Sequence, residues 1–354
     1  MATPQEILND LKNVNYPGYS RDIVSFGIVR DIEVGSDTVT VTLAPGGAKD
    51  DAIAEIRANV TARVSALTGA AVEIVVEAAP APRHREPARR TDIPGVRHII
   101  AVASGKGGVG KSTVAVNLAL ALRAQGLSVG LLDADVYGPS VPLLLGIGES
   151  AAGSDGDRIT PEKAHGIVAI SLGMFIARGQ PVIWRGPMIN KLLTQFYRDV
   201  EWGELDYLVL DLPPGTGDAQ LTIAQQAPLA GGVIVTTPQD VALLDVQRGI
   251  AMFHQVGAPV LGVVENMSYH LCPGCGHRSE IFGHGGGAKM AAQEEIAFLG
   301  EIPLAREIRE TSDSGTPIVV SDPKGQYALA FDALASRVRE EVEKRGRTEL
   351  PLIR

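Results

Sequence analysis

The nine residues from Gly105 to Thr113, Gly-Lys-Gly-Gly-Val-Gly-Lys-Ser-Thr, constrain this chain more than any other stretch of it. They follow an apolar run, His98-Ile-Ile-Ala-Val-Ala-Ser104, that reads as a strand. They lead into Ser112–Gln125, where alanines and leucines recur at helical spacing. Strand, glycine-rich loop and helix, in that order, is the setting in which G-x-x-x-x-G-K-[ST] wraps a phosphate. Gly105, Gly110, Lys111 and Ser112 fill that pattern. Glycines let successive N–H groups curl around an anion, and the helix N-terminus adds partial positive charge. The expected nucleotide-binding set is therefore Gly105, Lys106, Gly107, Gly108, Val109, Gly110, Lys111, Ser112 and Thr113. Lys111 is expected to reach the β- and γ-phosphates of ATP, and Ser112 to place its hydroxyl on Mg²⁺.

From residue 96 onward, strand-like and helix-like stretches alternate. Strands are expected over 97–103, 128–133, 166–171, 205–212, 231–236 and 260–265. Helices fall between most of them, for example Ile189–Val200 and Val241–Val256. This alternation predicts an α/β fold, a doubly wound and mostly parallel sheet. In such sheets ligands bind at the C-terminal strand ends, where the glycine-rich loop lies.

Residues 1–78 read as a separate small α+β domain. The spacing predicts a helix over Pro4–Lys12 and strands over Ile23–Val29, Thr38–Leu43 and Ala71–Val76. A helix over Ala48–Leu67 turns Ile53, Ile56, Val60, Val64 and Leu67 inward. Residues 79–95, rich in proline and arginine, read as a linker, which leaves 96–354 as the nucleotide-binding domain.

Composition narrows the partners. The chain has 354 residues and a formal net charge of −9, which disfavours a surface that coats nucleic acid. No apolar run approaches the ~20 residues needed to span a bilayer. The N-terminus, Met-Ala-Thr-Pro-Gln-Glu, has neither the basic start nor the apolar core of a signal peptide, so a cytoplasmic protein is expected. The two cysteines, Cys272 and Cys275, form one Cys-x-x-Cys motif, which excludes a disulfide framework.

Three chemistries fit that motif. One is a zinc half-site completed by His277 or His284. Another is a redox dithiol, although such pairs usually open a helix and this one is flanked by glycine and proline. The third is half of an iron–sulfur site. A [4Fe–4S] cluster usually takes four thiolates and one chain has two, so a two-fold symmetric homodimer would supply two from each copy.

Two further acidic signals stand at strand ends. Val129-Gly-Leu-Leu-Asp-Ala-Asp135 closes on Asp133 and Asp135. Tyr207-Leu-Val-Leu-Asp211 runs into Leu-Pro-Pro-Gly-Thr-Gly217 and reads as a magnesium-side aspartate followed by a mobile glycine switch, Gly215 and Gly217.

With its extra lysine, Lys106, the loop resembles the deviant phosphate loop of the MinD, ParA, arsenite-pump and nitrogenase-iron-protein group. That resemblance implies that Lys106 crosses a homodimer to the partner's nucleotide, in the manner of an arginine finger. It also implies that Asp135 positions the attacking water, that Asp133 lies near Mg²⁺ and that Asn266 reads adenine. The catalytic set is then Lys106, Lys111 and Asp135, with Asp133, Asp211 and Asn266 added to the nucleotide site.

The order of motifs is more specific still. The deviant loop is followed by Asp133-Ala-Asp-Val-Tyr-Gly-Pro-Ser140, Trp184-Arg-Gly-Pro-Met188, Asp211–Asp218, Glu265-Asn-Met-Ser268, Cys-x-x-Cys and Ile281-Phe-Gly283. Over roughly residues 90–345 this resembles the Mrp/ApbC family of iron–sulfur cluster carrier ATPases. The N-terminal unit resembles the small domain that many of them share with other assembly factors. It departs from that pattern at Asn15-Tyr-Pro17, where relatives often have Asp-Pro-Glu, and at Ala44-Pro-Gly-Gly47, where many carry a cysteine. The resemblance implies a slow homodimeric ATPase that holds a [4Fe–4S] cluster on Cys272 and Cys275 and passes it to apoproteins and assembly factors, with no nucleic-acid or membrane partner. Two alternatives are a spatial organiser of the ParA/MinD kind and a zinc-stabilised regulatory ATPase. The last helix, Tyr327–Lys344, turns Leu329, Phe331, Leu334, Val338 and Val342 inward beneath mixed charge, which is not the basic face of a membrane-surface helix.

Overall fold

The computed structural model describes residues 2–15, 17, 22–25, 27–35, 37–44, 50–76, 92–135, 138–148, 154–155, 158–175, 186–215 and 217–348. Most of the expected linker, Tyr137, Trp184, Arg185, Thr216 and the loop at 45–49 lie outside these residues. The chain divides into two compact units, Met1–Glu86 and Pro87–Arg354.

In the first unit, α1 (Pro4–Leu11) is followed by β1 (Val29–Val34), β2 (Thr38–Leu43), α2 (Asp50–Thr68) and β3 (Ala71–Val76). A capping box starts α1: the Thr3 hydroxyl accepts from the Glu6 N–H, and the Glu6 carboxylate accepts from the Thr3 N–H. The strands form a three-stranded sheet, β1 antiparallel and β3 parallel to β2. Val39, Val41 and Leu43 alternate inward onto Ile56, Val60 and Val64 of α2, as their period-two pattern requires.

Two expectations fail here. The apolar run Ile23–Val29 is not a strand. The Asp22 carboxylate accepts from the Ser25 N–H at 2.7 Å and the Ile28 N–H returns to the Ile23 carbonyl at 3.0 Å, which closes a turn. Ile23 and Ile28 still enter the core, but from that turn, and the strand begins at Val29. Leu67, in the last turn of α2, is 45% exposed rather than inward.

The second unit begins with β4 (Val96–Ala103), α3 (Lys111–Ala124), β5 (Val129–Asp133) and α4 (Val141–Leu144). A small hairpin, β6 (Ser154–Asp155) and β7 (Arg158–Ile159), precedes β8 (Glu162–Ala164) and β9 (Ile167–Ser171). Then come α5 (Gly186–Arg198), β10 (Leu205–Asp211), α6 (Asp218–Gln226), β11 (Leu229–Thr236), α7 (Asp240–Gln255) and β12 (Val260–Asn266). A second hairpin, β13 (His270–Leu271) and β14 (Arg278–Ser279), leads to α8 (Gly286–Gln293) and β15 (Phe298–Ile302). Three helices close the chain: α9 (Arg306–Asp313), α10 (Ile318–Ser321) and α11 (Gln326–Thr348).

The eight-stranded sheet runs β15-β12-β11-β4-β10-β5-β9-β8 and is parallel except for edge strand β8. Its central strands are apolar on both faces. In β4, Ile99, Ala101 and Ala103 pack into one core layer and Ile100 and Val102 into the other. Burial on both faces is why these strands read as continuous apolar runs rather than alternating ones. The edge strand β15 escaped the sequence reading, because five residues interrupted by Gly300 and Glu301 carry almost no strand signal. Leu329 of α11 is 54% exposed, contrary to expectation, whereas Phe331, Leu334, Val338 and Val342 are buried. Among the described residues no helix is long and apolar enough to cross a membrane.

Candidate functional site

Parallel strands β4, β5, β10, β11 and β12 all end on one side of the sheet, and every predicted site residue of this unit lies in or just beyond those ends. The glycine-rich loop leaves β4 at Ser104 and enters α3 at Lys111. Gly105 is obligatory because a Cβ there would overlap Asp245 of α7. Gly110 caps α3 at φ 79°, and a Cβ there would overlap the Asn266 amide.

The two lysines sit in opposite situations. Lys111 is 6% exposed, and its ammonium pairs with Asp211 and donates to Ser112 Oγ at 3.3 Å. The carbonyl of Lys106 accepts from Ser104 Oγ at 2.9 Å. Among the described residues its ammonium has no hydrogen bond or ion pair.

Three carboxylates stand behind Lys111. Asp211 and Asp133 end neighbouring strands as register partners, and both are fully buried. Burial raises the Asp211 carboxyl above its ordinary range, against the pull of Lys111. One of its oxygens, Oδ2, is buried with no hydrogen-bond partner among the described residues. Asp133 accepts from the Asp135 N–H at 3.1 Å, the Val141 N–H at 3.2 Å and Ser171 Oγ at 2.9 Å. Burial, reinforced by the charge of Asp211, pushes Asp133 up to about 7. Asp135, also buried, accepts from the Gly138 N–H at 3.2 Å. Gly215 donates to the Ser104 carbonyl at 3.0 Å, which ties the glycine stretch after β10 to the end of β4. Three carboxyl groups face one lysine, and burial disfavours the ionised forms of Asp211 and Asp133 until a cation joins them. Lys111 touches both the Asp211 carboxylate and the Ser112 hydroxyl, and an unpartnered carboxylate oxygen with a hydroxyl close by is a donor set that suits Mg²⁺.

The raised Asp133 carries a pH consequence. The unfolded chain loses this proton near 3.8, whereas the folded one keeps it to about 7. The folded state therefore binds more protons between those values, and its stability falls as pH rises through them. The thermal midpoint of nucleotide- and magnesium-free protein should decline from about pH 4 to 7, and Asp133→Asn should flatten that decline. Equal slopes in the two proteins would rule out Asp133 as its source.

Asn266 ends β12. It is buried, and its amide donates to the Val109 carbonyl of the loop at 2.8 Å. Six residues on, Cys272 and Cys275 occupy the turn of the β13–β14 hairpin. The Cys272 N–H donates to the His277 carbonyl at 2.9 Å, and the Gly276 N–H returns to the Cys272 carbonyl at 2.8 Å. Backbone N–H groups of Gly274 and Cys275 aim at the Cys272 sulfur and, with the Cys275 thiol, hold its pKa below the ordinary thiol value. Cys272 is half-buried and Cys275 exposed. The hairpin is moored to the sheet: the Ser268 N–H donates to the Ile302 carbonyl at 3.0 Å, and the His270 ring contacts the Leu304 carbonyl at 2.9 Å.

Among the described residues neither His277 nor His284 forms a ligand group with the two thiols. His284 gathers with Glu265 and Glu301 instead. In the sequence Glu265 stands within the Glu-Asn-Met-Ser motif, and nothing local marks Glu301. A charged residue directly continuing the apolar run Val260–Val264 was the available signal.

The family described as NUBPL iron-transfer P-loop NTPase matches residues 95–339, and that described as iron–sulfur cluster assembly protein matches residues 4–76. A relative in Haemophilus influenzae, named iron–sulfur cluster carrier protein, is 44% identical over 95% of this chain and 91% of its own length. The protein of the same name in Escherichia coli K12 is 42% identical over 96% and 92%. Among solved structures, the nucleotide-binding protein of Archaeoglobus fulgidus in complex with ADP, in which cobalt was found, is 40% identical. The match covers 67% of this chain and 93% of that one, with a TM-score of 0.59. The septum site-determining protein MinD of Pyrococcus horikoshii, complexed with Mg-ADP, shares the fold at 24% identity and a TM-score of 0.52, over 73% of this chain and 100% of that one.

Proposed function

Because the chain belongs to the NUBPL iron-transfer P-loop NTPase family, we propose that it is an iron–sulfur cluster carrier whose work is coupled to ATP binding and hydrolysis. The observation that carries this reading is the exposed Cys272/Cys275 turn, which springs from the strand whose Asn266 grips the phosphate loop. The cargo is a [4Fe–4S] cluster. One chain offers it two thiolates, so two copies facing each other complete the set.

The chain's own residues perform the nucleotide steps. Lys111 leaves Asp211 for the β- and γ-phosphates. Asp211 and Ser112 would hold Mg²⁺, which would supply positive charge against the phosphates. Asp135 orients the attacking water, and Lys106 reaches the partner copy's phosphates. Gly215 releases the Ser104 carbonyl and turns its N–H toward the γ-phosphate. Asn266 frees its amide from Val109 to meet the adenine edge. Turnover is slow, near or below the ~1 s⁻¹ low end for enzymes.

Lys111→Ala should weaken ATP binding by at least ~10-fold, the value of a charge-assisted hydrogen bond of about 1.5–3 kcal/mol. It should also destabilise the empty protein by about 3 kcal/mol, because buried Asp211 loses its cation. Lys111→Met with Asp211→Asn should recover much of that stability and none of the affinity. Isothermal titration and chemical denaturation read the two effects separately.

Transfer itself is tested by incubating anaerobically reconstituted protein with the apo form of a [4Fe–4S] enzyme and following recovery of its activity. Activation is expected, and its absence from a cluster-loaded carrier would overturn the reading.

A further inference from the structure

Glu265, His284 and Glu301 converge from three elements. Glu265 and Glu301 are register partners on β12 and β15, and His284 comes from the loop that leads into α8. One ligand atom from each lies within 4.8 Å of the other two. Glu265 forms a fully buried floor. Its oxygens accept from Ser268 Oγ at 2.6 Å, the Gly285 N–H at 3.1 Å and the Gly287 N–H at 2.6 Å. All three donors are neutral, and among the described residues no ion pair reaches this carboxylate. A buried anion without a cation is costly.

At the solvent-facing rim, His284 Nε2 makes two contacts that exclude each other. It lies 2.8 Å from Glu301 Oε1, an acceptor, and 2.7 Å from Arg278 Nη2, a donor. A protonated Nε2 satisfies Glu301 and turns its hydrogen on Arg278. A bare Nε2 satisfies Arg278 and turns its lone pair on Glu301. Arg278 also donates to Glu301 Oε2 at 3.2 Å and lies over the Tyr269 ring, 3.9 Å from its centroid.

A divalent cation relieves both defects. It accepts the lone pairs of Nε2 and Glu301 and supplies the charge that Glu265 lacks. Donors bound at about 2.1 Å from one ion stand roughly 3.0–3.4 Å apart, so the His284–Glu301 pair already has nearly that spacing. Glu280 Oε1 lies 3.7 Å from His284 Nδ1, on the side where a carboxylate favours the tautomer that leaves Nε2 bare. One imidazole with two carboxylates suits a borderline divalent transition metal such as zinc, iron(II) or cobalt(II). We propose that Glu265, His284 and Glu301 form a mononuclear site for such an ion, separate from Cys272 and Cys275, with Arg278 as the competing cation. The site stands whether or not the thiols carry a cluster.

The test uses the full chain with Cys272→Ser and Cys275→Ser, so that no thiolate contributes. Cobalt(II) is titrated by calorimetry and by its visible ligand-field absorption. One cobalt per chain is expected. His284→Ala and Glu301→Gln should each weaken it by ~10-fold or more, in the range that loss of site groups produces. Arg278→Ala should strengthen it. ATP binding by each variant reports that the fold is intact. No saturable binding, undiminished affinity in folded His284→Ala and Glu301→Gln variants, or weaker binding in Arg278→Ala would overturn the proposal.

Discussion

Lys106→Ala should bind ATP within a few-fold of wild type and hydrolyse it about 10²-fold or more slowly. The two loop lysines justify that split. Lys111 is buried against Asp211, and the proposed function gives it the phosphates of its own chain's nucleotide. Lys106, partly exposed at the C-terminal strand ends, has an ammonium that neither bonds nor pairs among the described residues. A cation delivered from a second copy stabilises charge that develops only in transit, so its loss lowers the rate and spares the ground state. Supplied arginines of this kind contribute roughly 10³–10⁵-fold, and a lysine, lacking the planar fork, should contribute toward or below the lower end. Single-turnover hydrolysis beside equilibrium ATP binding separates the two quantities. A variant that dimerises normally and hydrolyses at the wild-type rate would remove Lys106 from the reaction.

Cys272→Ser with Cys275→Ser should abolish cluster binding and leave the fold and ATP affinity nearly untouched. Both side chains lie in a hairpin turn outside the core layers, so replacing sulfur by oxygen opens no cavity there. What disappears is the soft thiolate pair, including the Cys272 sulfur whose ionised form the turn favours. Hybrids of one wild-type and one doubly substituted chain hold only two thiolates and should retain cluster poorly. Full occupancy in purified hybrids would mean that each chain binds its own metal.

Much of the second unit was legible because its signals are local. Glycines, lysines and aspartates at strand ends announce a phosphate loop and its neighbours, and strands buried on both faces read as plain apolar runs. The six strands expected there all exist, with ends shifted by one or two residues. What stayed hidden depends on register between distant segments. The Lys111–Asp211 pair and the Ser171 bond to Asp133 arise only when β10, β5 and β9 align. The pairing of β12 with β15, a strand the sequence hardly marks, sets Glu301 beside Glu265, and the Gly285 and Gly287 N–H groups bond Glu265 and bring in His284, one of the two histidines considered for a zinc half-site with the thiols. In the first unit, Ile23–Val29 has strand composition, but Asp22 offers a side-chain acceptor that competes with a ladder and makes a turn. Leu67 and Leu329 fit helical stripes whose last or first turn extends past the surface that the stripe covers.

In the proposed function one cluster joins two copies of this chain through four thiolates. Native mass spectrometry of anaerobically purified protein, with iron and sulfide analysis of the same sample, tests it most directly. The expected species has two chains carrying four irons and four sulfides in total, and is absent from the Cys272→Ser/Cys275→Ser protein. One zinc per chain, or a complete cluster on a single chain, would contradict it.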